Sequence, residues 1–270
     1  DGTVTITDSY NTGDVSASTT GDSSASAGGL VGSVDMVTIT DSYNTGSVSV
    51  STTGDSYVSA GGLVGYGWAV TITDSYNTGS VSATGSFYST SACYGPRAGG
   101  LVGSGDMVTI TDSYNTGSVG ATGYYSVYAG GLVGSGNYDG TVTITDSYNT
   151  GDVSASTTGY YSVYAGGLVG YSDYSGSTVT ITYSYNTGDV SASTTGDSNA
   201  DAGGLMGYCD YDGTVTITDC YYTLPENSHN NYGEKKSSVA EIVAIMENLW
   251  DSSVWDFDNL DENGNPTLRY

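Results

Sequence analysis

One unit, written over and over, constrains this chain more than anything else in it. Ser-Tyr-Asn-Thr-Gly stands at 9–13, 42–46, 75–79, 113–117, 147–151 and 184–188, with a degenerate seventh copy at Cys220-Tyr221-Tyr222-Thr223. A second string, Gly-Gly-Leu-Val-Gly, stands at 28–32, 61–65, 99–103, 130–134 and 166–170, and as Gly-Gly-Leu-Met-Gly at 203–207. The repeat is 33 to 38 residues long, and its length changes at only two places. From Gly-Leu-Val-Gly to the next Ser-Tyr there are 9, 9, 9, 12, 13 and 12 residues. From Asn-Thr-Gly to Gly-Gly-Leu there are 14, except 19 in the third repeat and 12 in the fourth. Variation confined to fixed sites means loops on a constant scaffold.

Each repeat reads as strands. Val4-Thr5-Ile6-Thr7 alternates apolar and hydroxyl residues with the period of two of a half-buried strand. Val15 and Ala17 alternate with serines, and Leu30-Val31 between glycines supplies a third piece. Gly, Ser and Thr dominate, and they are poor or indifferent helix formers, so helical repeats of similar length are excluded. A propeller blade needs more residues than one repeat has. The expected fold is all-β, a β-solenoid of about six to seven stacked coils. Each coil is expected to carry about three short strands, stacked about 4.8 Å apart.

Stacking turns each position into a column. Asn11, Asn44, Asn77, Asn115, Asn149 and Asn186 are expected to form an asparagine ladder, each amide bonding the next, as in other cross-β stacks. The seven tyrosines from Tyr10 to Tyr221 form an aromatic column, read as packing. Asp8, Asp41, Asp74, Asp112, Asp146 and Asp219 form an acidic column broken by Tyr183. Oxygen-only ligands suit calcium, so Asp8, Asp41 and Asp74 are weak candidates for it, against a default of a solvated face. No calcium-loop signature accompanies them, and no cofactor is expected.

Gly-Gly-Leu-Val-Gly followed by Val-Thr-Ile-Thr-Asp-Ser-Tyr-Asn-Thr-Gly resembles the GLUG repeat of secreted and cell-surface proteins of bacteria and archaea. The resemblance runs through residues 1–223. It implies an extracellular or cell-surface location and a β-rich, often adhesin-like region, with no catalytic activity of its own. Some GLUG proteins are metallopeptidases, but their zinc motif His-Glu-x-x-His is absent here. In kind, the chain is also weakly similar to the acidic sheath proteins of some archaea.

Composition changes near Pro225. Ahead of it there is no Glu, no Lys and one basic residue, Arg97; all five Glu, both Lys and His229 lie beyond. Residues 1–223 are read as the solenoid and 224–270 as a C-terminal cap over its end. Ser238 and Glu241 make a capping box for a helix over about 238–250, with short strands after it. The opposite end begins inside a repeat, read either as a trimmed end or as an open coil covered by another molecule.

The net charge of −25 rests on four Lys+Arg against 29 Asp+Glu, which excludes a phosphate-neutralising nucleic-acid interface. No apolar stretch is long enough to enter and span a bilayer. The single His229 has no companion ligand, and the serines lack a credible base, so the chain is not read as an enzyme. Cys209 and Cys220 share the last coil, where a local disulfide is feasible if geometry allows. Cys93 is left odd, a candidate for an intermolecular bridge. Tyr124, Tyr125, Tyr128, Tyr160, Tyr161 and Tyr164 read as loop tyrosines suited to an interface.

Together these features point to an extracellular structural protein that associates with copies of itself into a layer, sheath or fibre. An adhesin stalk is the alternative. A third reading, ice binding, rests on the paired threonine columns from Thr5/Thr7 to Thr216/Thr218.

Overall fold

The computed structural model describes all residues except 1, 22, 55–56, 86–94, 173–175, 197, 210–211, 224–232 and 270, together with the side chains of 137–139. The first coil consists of β1 (Thr3–Thr7), β2 (Tyr10–Asn11), β3 (Val15–Thr19) and β4 (Ala25–Gly28), and β5 (Val31–Thr40) opens the second. Each strand pairs in parallel with its counterpart one repeat later: Val4 with Val37, Tyr10 with Tyr43, Val15 with Val48, Ala25 with Val58. Four parallel sheets therefore run the length of a β-solenoid of about six turns.

The expectation of three strands per coil is corrected to four. The Tyr-Asn strand is two residues long, too short to show a period of two, yet it builds a sheet of its own. The fourth strand is the Ala-x-Ala-Gly segment just before Gly-Leu. Meanwhile the Leu-Val piece runs on into Val-Thr-Ile-Thr as one ten-residue strand in β5 and at Val64–Thr73 and Val102–Thr111. Longer gaps are absorbed there: by a register shift between Gly105 and Met107, and by a split into Val169–Ser172 and Thr178–Thr182. The longest insert of the other variable site falls on 86–94, outside the described residues.

Alternation supplies the core. Val37, Ile39, Val48, Val50, Val58, Ala60 and Leu63 are all buried, and their equivalents in later coils repeat the set. Burying one such Val, Ile or Leu contributes about 1.5–3 kcal/mol. The outward positions of the same strands carry Thr and Ser. The doubled glycine has a steric cause. A Cβ on Gly100 would collide with the Asn115 side chain and the Gly131 carbonyl of the next coil. At that corner two coils and the asparagine ladder meet with no room for a side chain.

After the last coil, Glu234–Lys235 adds one more strand to the tyrosine sheet, pairing with Tyr221–Tyr222. Helix α1 (Val239–Leu249) follows, within the expected range. Ser238 accepts from the Glu241 amide, while the Glu241 carboxylate reaches back to Ser237 N and Oγ. Trp255–Asp256 then pairs antiparallel with Thr267–Leu268. Among the described residues no helix is long and apolar enough to cross a membrane.

This segment does not simply lid the end of the rod. Ile242, Met246, Trp250, Trp255 and Leu268 form one buried cluster with Tyr148, Tyr185 and Tyr221, and Tyr114 packs at its edge. The segment lies along the side of the solenoid, on the tyrosine sheet. The physical reason is apolar area: the column of aromatic edges offers α1 a continuous hydrophobic strip.

Candidate functional site: the tyrosine face

The corner that presents the tyrosines is built from Asp-Ser-Tyr-Asn-Thr-Gly, and each residue type has a separate cause. Asp8, Asp41, Asp74, Asp112, Asp146 and Asp219 all sit at φ 47–51°, in the left-handed region where Asp is among the few tolerated side chains. The acidic column thus has a backbone explanation. Tyr183 adopts the same conformation at φ 48°, which is strained for a bulky residue. Its ring meets the Trp250 indole edge-on at 6.1 Å.

The serine that follows makes a ladder that the sequence reading missed. Each Ser Oγ donates to the carbonyl two residues back, as Ser75 does to Thr73 at 2.7 Å. It also accepts the amide of the previous coil's serine, as Ser75 Oγ does from Ser42 N at 3.1 Å. The asparagine ladder is present as expected. Nδ2 of each Asn donates to Oδ1 of the next at 2.7–2.8 Å from Asn11 through Asn44, Asn77, Asn115 and Asn149 to Asn186. From Asn44 on, the ladder is fully buried.

Between these ladders the rings of Tyr10, Tyr43, Tyr76, Tyr114, Tyr148 and Tyr185 stack with centroids 4.8–5.2 Å apart and planes within 8°. Stacked faces leave the ring edges and hydroxyls pointing outward. Over the C-terminal half those edges are covered: Trp255 packs on Tyr148 and Tyr185, Trp250 on Tyr221, and Tyr185 Oη donates to the Pro266 carbonyl at 2.6 Å. Burial drives the Tyr148 and Tyr185 hydroxyls far above the usual phenol range. Towards the N-terminal end burial falls off: Tyr43 and Tyr76 are half-buried, and Tyr10 is 65% exposed.

The acidic column beside it is electrostatically uneven. Burial, then the neighbouring carboxylates of Asp146 and Asp74, push Asp112 up to about 6. Asp74 is raised by burial and Asp41, and Asp146 by burial, against a lowering hydrogen bond from Trp255. Each coil contributes a single carboxylate. Among the described residues, no three His, Cys, Asp or Glu converge to hold a metal ion.

The other candidates are placed differently from expectation. Tyr128 and Tyr164 are not loop residues but lie in strands Val127–Gly130 and Val163–Gly166, and both are buried. They interleave with Tyr171 and Tyr208 of the threonine sheet in a second stack, Tyr128 on Tyr171 at 4.4 Å and Tyr164 on Tyr208 at 4.6 Å. The tight Gly-Gly-Leu-Val-Gly bend brings residues seven apart together, so that Tyr164 stacks on Tyr171 at 5.2 Å and Arg97 Nη1 reaches Ser104 Oγ at 3.3 Å, and stacking of the coils adds Tyr128 and Tyr208 to the same column. Tyr125 is buried against Tyr161, and Tyr124 is half-buried at its edge. Tyr160 and Tyr161 do face solvent.

The local disulfide is corrected too: Cys209 and Cys220 are not bonded to each other. Cys220 occupies the serine column, buried, with its thiol pointed at the Thr218 and Ile181 carbonyls. Cys209 instead faces Ser177 in the threonine sheet. Cys93 lies outside the described residues.

No family model matches the chain, and no curated protein matches it. A solved structure from Bacteroides ovatus, of a protein provisionally named an immunoglobulin A1 protease, is similar over 92% of this chain and 74% of its own. Its TM-score is 0.58 and its identity 21%, a likeness of fold.

Proposed function

We propose that the protein is an extracellular structural protein of the GLUG-repeat kind, built to associate with copies of itself in a surface layer, sheath or fibre. One observation carries this reading. A single continuous tyrosine stack is buried under apolar side chains at Tyr148, Tyr185 and Tyr221 and reaches solvent at its N-terminal end, where Tyr10 is 65% exposed and Tyr43 half-buried. The covered half demonstrates what chemistry the strip accepts. Exposed tyrosines in a row offer an apolar edge and a polar tip, which suits a protein interface.

Charge opposes the association. At −25 per copy the rods repel one another, and salt relieves that by shortening the screening length to about 10 Å at 0.1 M. Sedimentation velocity over a range of protein concentration, with and without salt, calcium and reductant, tests the reading. Association that strengthens with salt is expected. A monomer under every condition overturns it and leaves the adhesin stalk as the better account.

A further inference from the structure

We infer that the threonine sheet carries a binding site for an arginine side chain of a different protein, with the Trp68 indole as its floor and Asp35 as its anion. The site is separate from the tyrosine face and goes beyond self-association.

A stacked bulge creates it. In the strands Val31–Thr40, Val64–Thr73 and Val102–Thr111, the inward positions are Val34 and Val37, Gly67 and Val70, Gly105 and Val108. Two residues separate the members of each pair, where strict alternation allows one, so the extra residue is turned out of the core. Pairing runs from Val34 to Gly67 to Gly105 before the bulge and from Met36 to Ala69 to Met107 after it. Asp35, Trp68 and Asp106 therefore occupy one column, on successive rungs about 4.8 Å apart. Trp68 is 48% exposed, and its ring touches no other aromatic ring among the described residues.

The surroundings select the ligand. An indole face attracts a cation, and a planar guanidinium stacks on it while its fork of N–H groups reaches a carboxylate. Asp35 is exposed on one side of Trp68, and Asp106 is half-buried on the other. Met107, 42% exposed, and the half-buried Met36 offer apolar surface to the methylene stem. Residues 31–111 hold five Asp and one basic residue, Arg97, which is buried against Tyr57 and Ser104. That field favours a cation and gives nothing to a neutral sugar. Another copy does not supply the arginine, because Arg97 is buried and Arg269 is ion-paired with Asp256 and Asp258.

Titration of the full chain with hexa-arginine, hexa-lysine and cellohexaose tests the site. Trp250 and Trp255 are buried, so a shift in tryptophan emission reports a ligand on Trp68. Hexa-arginine is expected to shift it and to bind more tightly than hexa-lysine. By calorimetry its affinity is expected to fall about tenfold on Trp68→Ala and several-fold on Asp35→Asn. Asp212→Asn removes an equal charge at an exposed position four rungs further along the same sheet, and is expected to leave the affinity unchanged. Trp68→Ala and Asp35→Asn variants that lose no more affinity than Asp212→Asn overturn the site, since bulk charge then accounts for binding. Cellohexaose that shifts the emission at lower concentration than hexa-arginine overturns it in favour of a sugar.

Discussion

The indole Nε1–H of Trp255 donates to a carboxylate oxygen of Asp146 over 3.2 Å, linking residues 109 positions apart. Trp255 is fully buried, and this bond fixes the C-terminal segment against the side of the solenoid at the fifth coil. Trp255→Ala is expected to cost about 3–5 kcal/mol, the usual range for emptying a buried aromatic site. Urea denaturation measures the loss, and trypsin should then cut faster at Lys235 and Lys236. An unchanged midpoint contradicts the seating of the segment on the tyrosines.

Stability should rise as the solution is made mildly acidic. Asp112 is held at about 6 in the folded protein, above its ordinary value of 3.8, so the folded state binds its proton more tightly than the unfolded chain does. The penalty of burying its charge is fully present above about pH 6 and is relieved as pH falls from 6 towards 3.8. Asp74 and Asp146 shift in the same direction. Glu241, Asp251 and Asp256 are held low, so their opposite contribution is lost only below the ordinary carboxylate range. The melting temperature should therefore be higher at pH 5 than at pH 7.5. Asp112→Asn, which tolerates the left-handed backbone, should raise it at pH 7.5 and flatten the dependence. A melting temperature that climbs from pH 5 to 7.5 contradicts this.

The asparagine ladder can be broken in its middle. Asn115→Ala strands the Asn77 amide and the Asn149 carbonyl oxygen in a buried site. Each buried polar group left without its partner costs about 1–3 kcal/mol. Asn11→Ala, at a half-buried rung, should cost distinctly less. Equal midpoints for the two variants in guanidinium contradict a cooperative buried ladder.

Cysteine reactivity should separate the two thiols. Burial pushes the Cys220 thiol up to about 12, so almost no thiolate exists at pH 8. In native protein Cys220 should resist iodoacetamide far longer than the half-buried Cys209, and mild oxidant should form no Cys209–Cys220 bridge. Peptide mass spectrometry reads both. Rapid alkylation of Cys220 contradicts its place in the serine column.

Much of this architecture was legible because a repeat declares its columns. Val4-Thr5-Ile6-Thr7, the asparagine ladder, the Ser238–Glu241 start of α1 and the acidic column all follow from spacing alone. Spacing does not say which side of a bend a column faces, so Tyr128 and Tyr164 read as exposed while the Gly-Gly-Leu-Val-Gly corner folds them against Tyr171 and Tyr208. Nor does it say which face a terminal segment covers. A signal for that was present: Tyr183 replaces the column's Asp in a conformation that disfavours it, at the rung where Trp250 packs. Such an exception marks a contact from outside the repeat.

Nitration of tyrosine, followed by peptide mapping, tests the central claim most directly when done on dilute and on concentrated protein. Tyr148 and Tyr185 should resist at both concentrations, being covered within the chain. Tyr10 and Tyr43 should react in dilute solution and become protected as the protein associates. Equal labelling of those two at both concentrations, in samples that sedimentation shows to be associated, would contradict the tyrosine face as the surface through which copies meet.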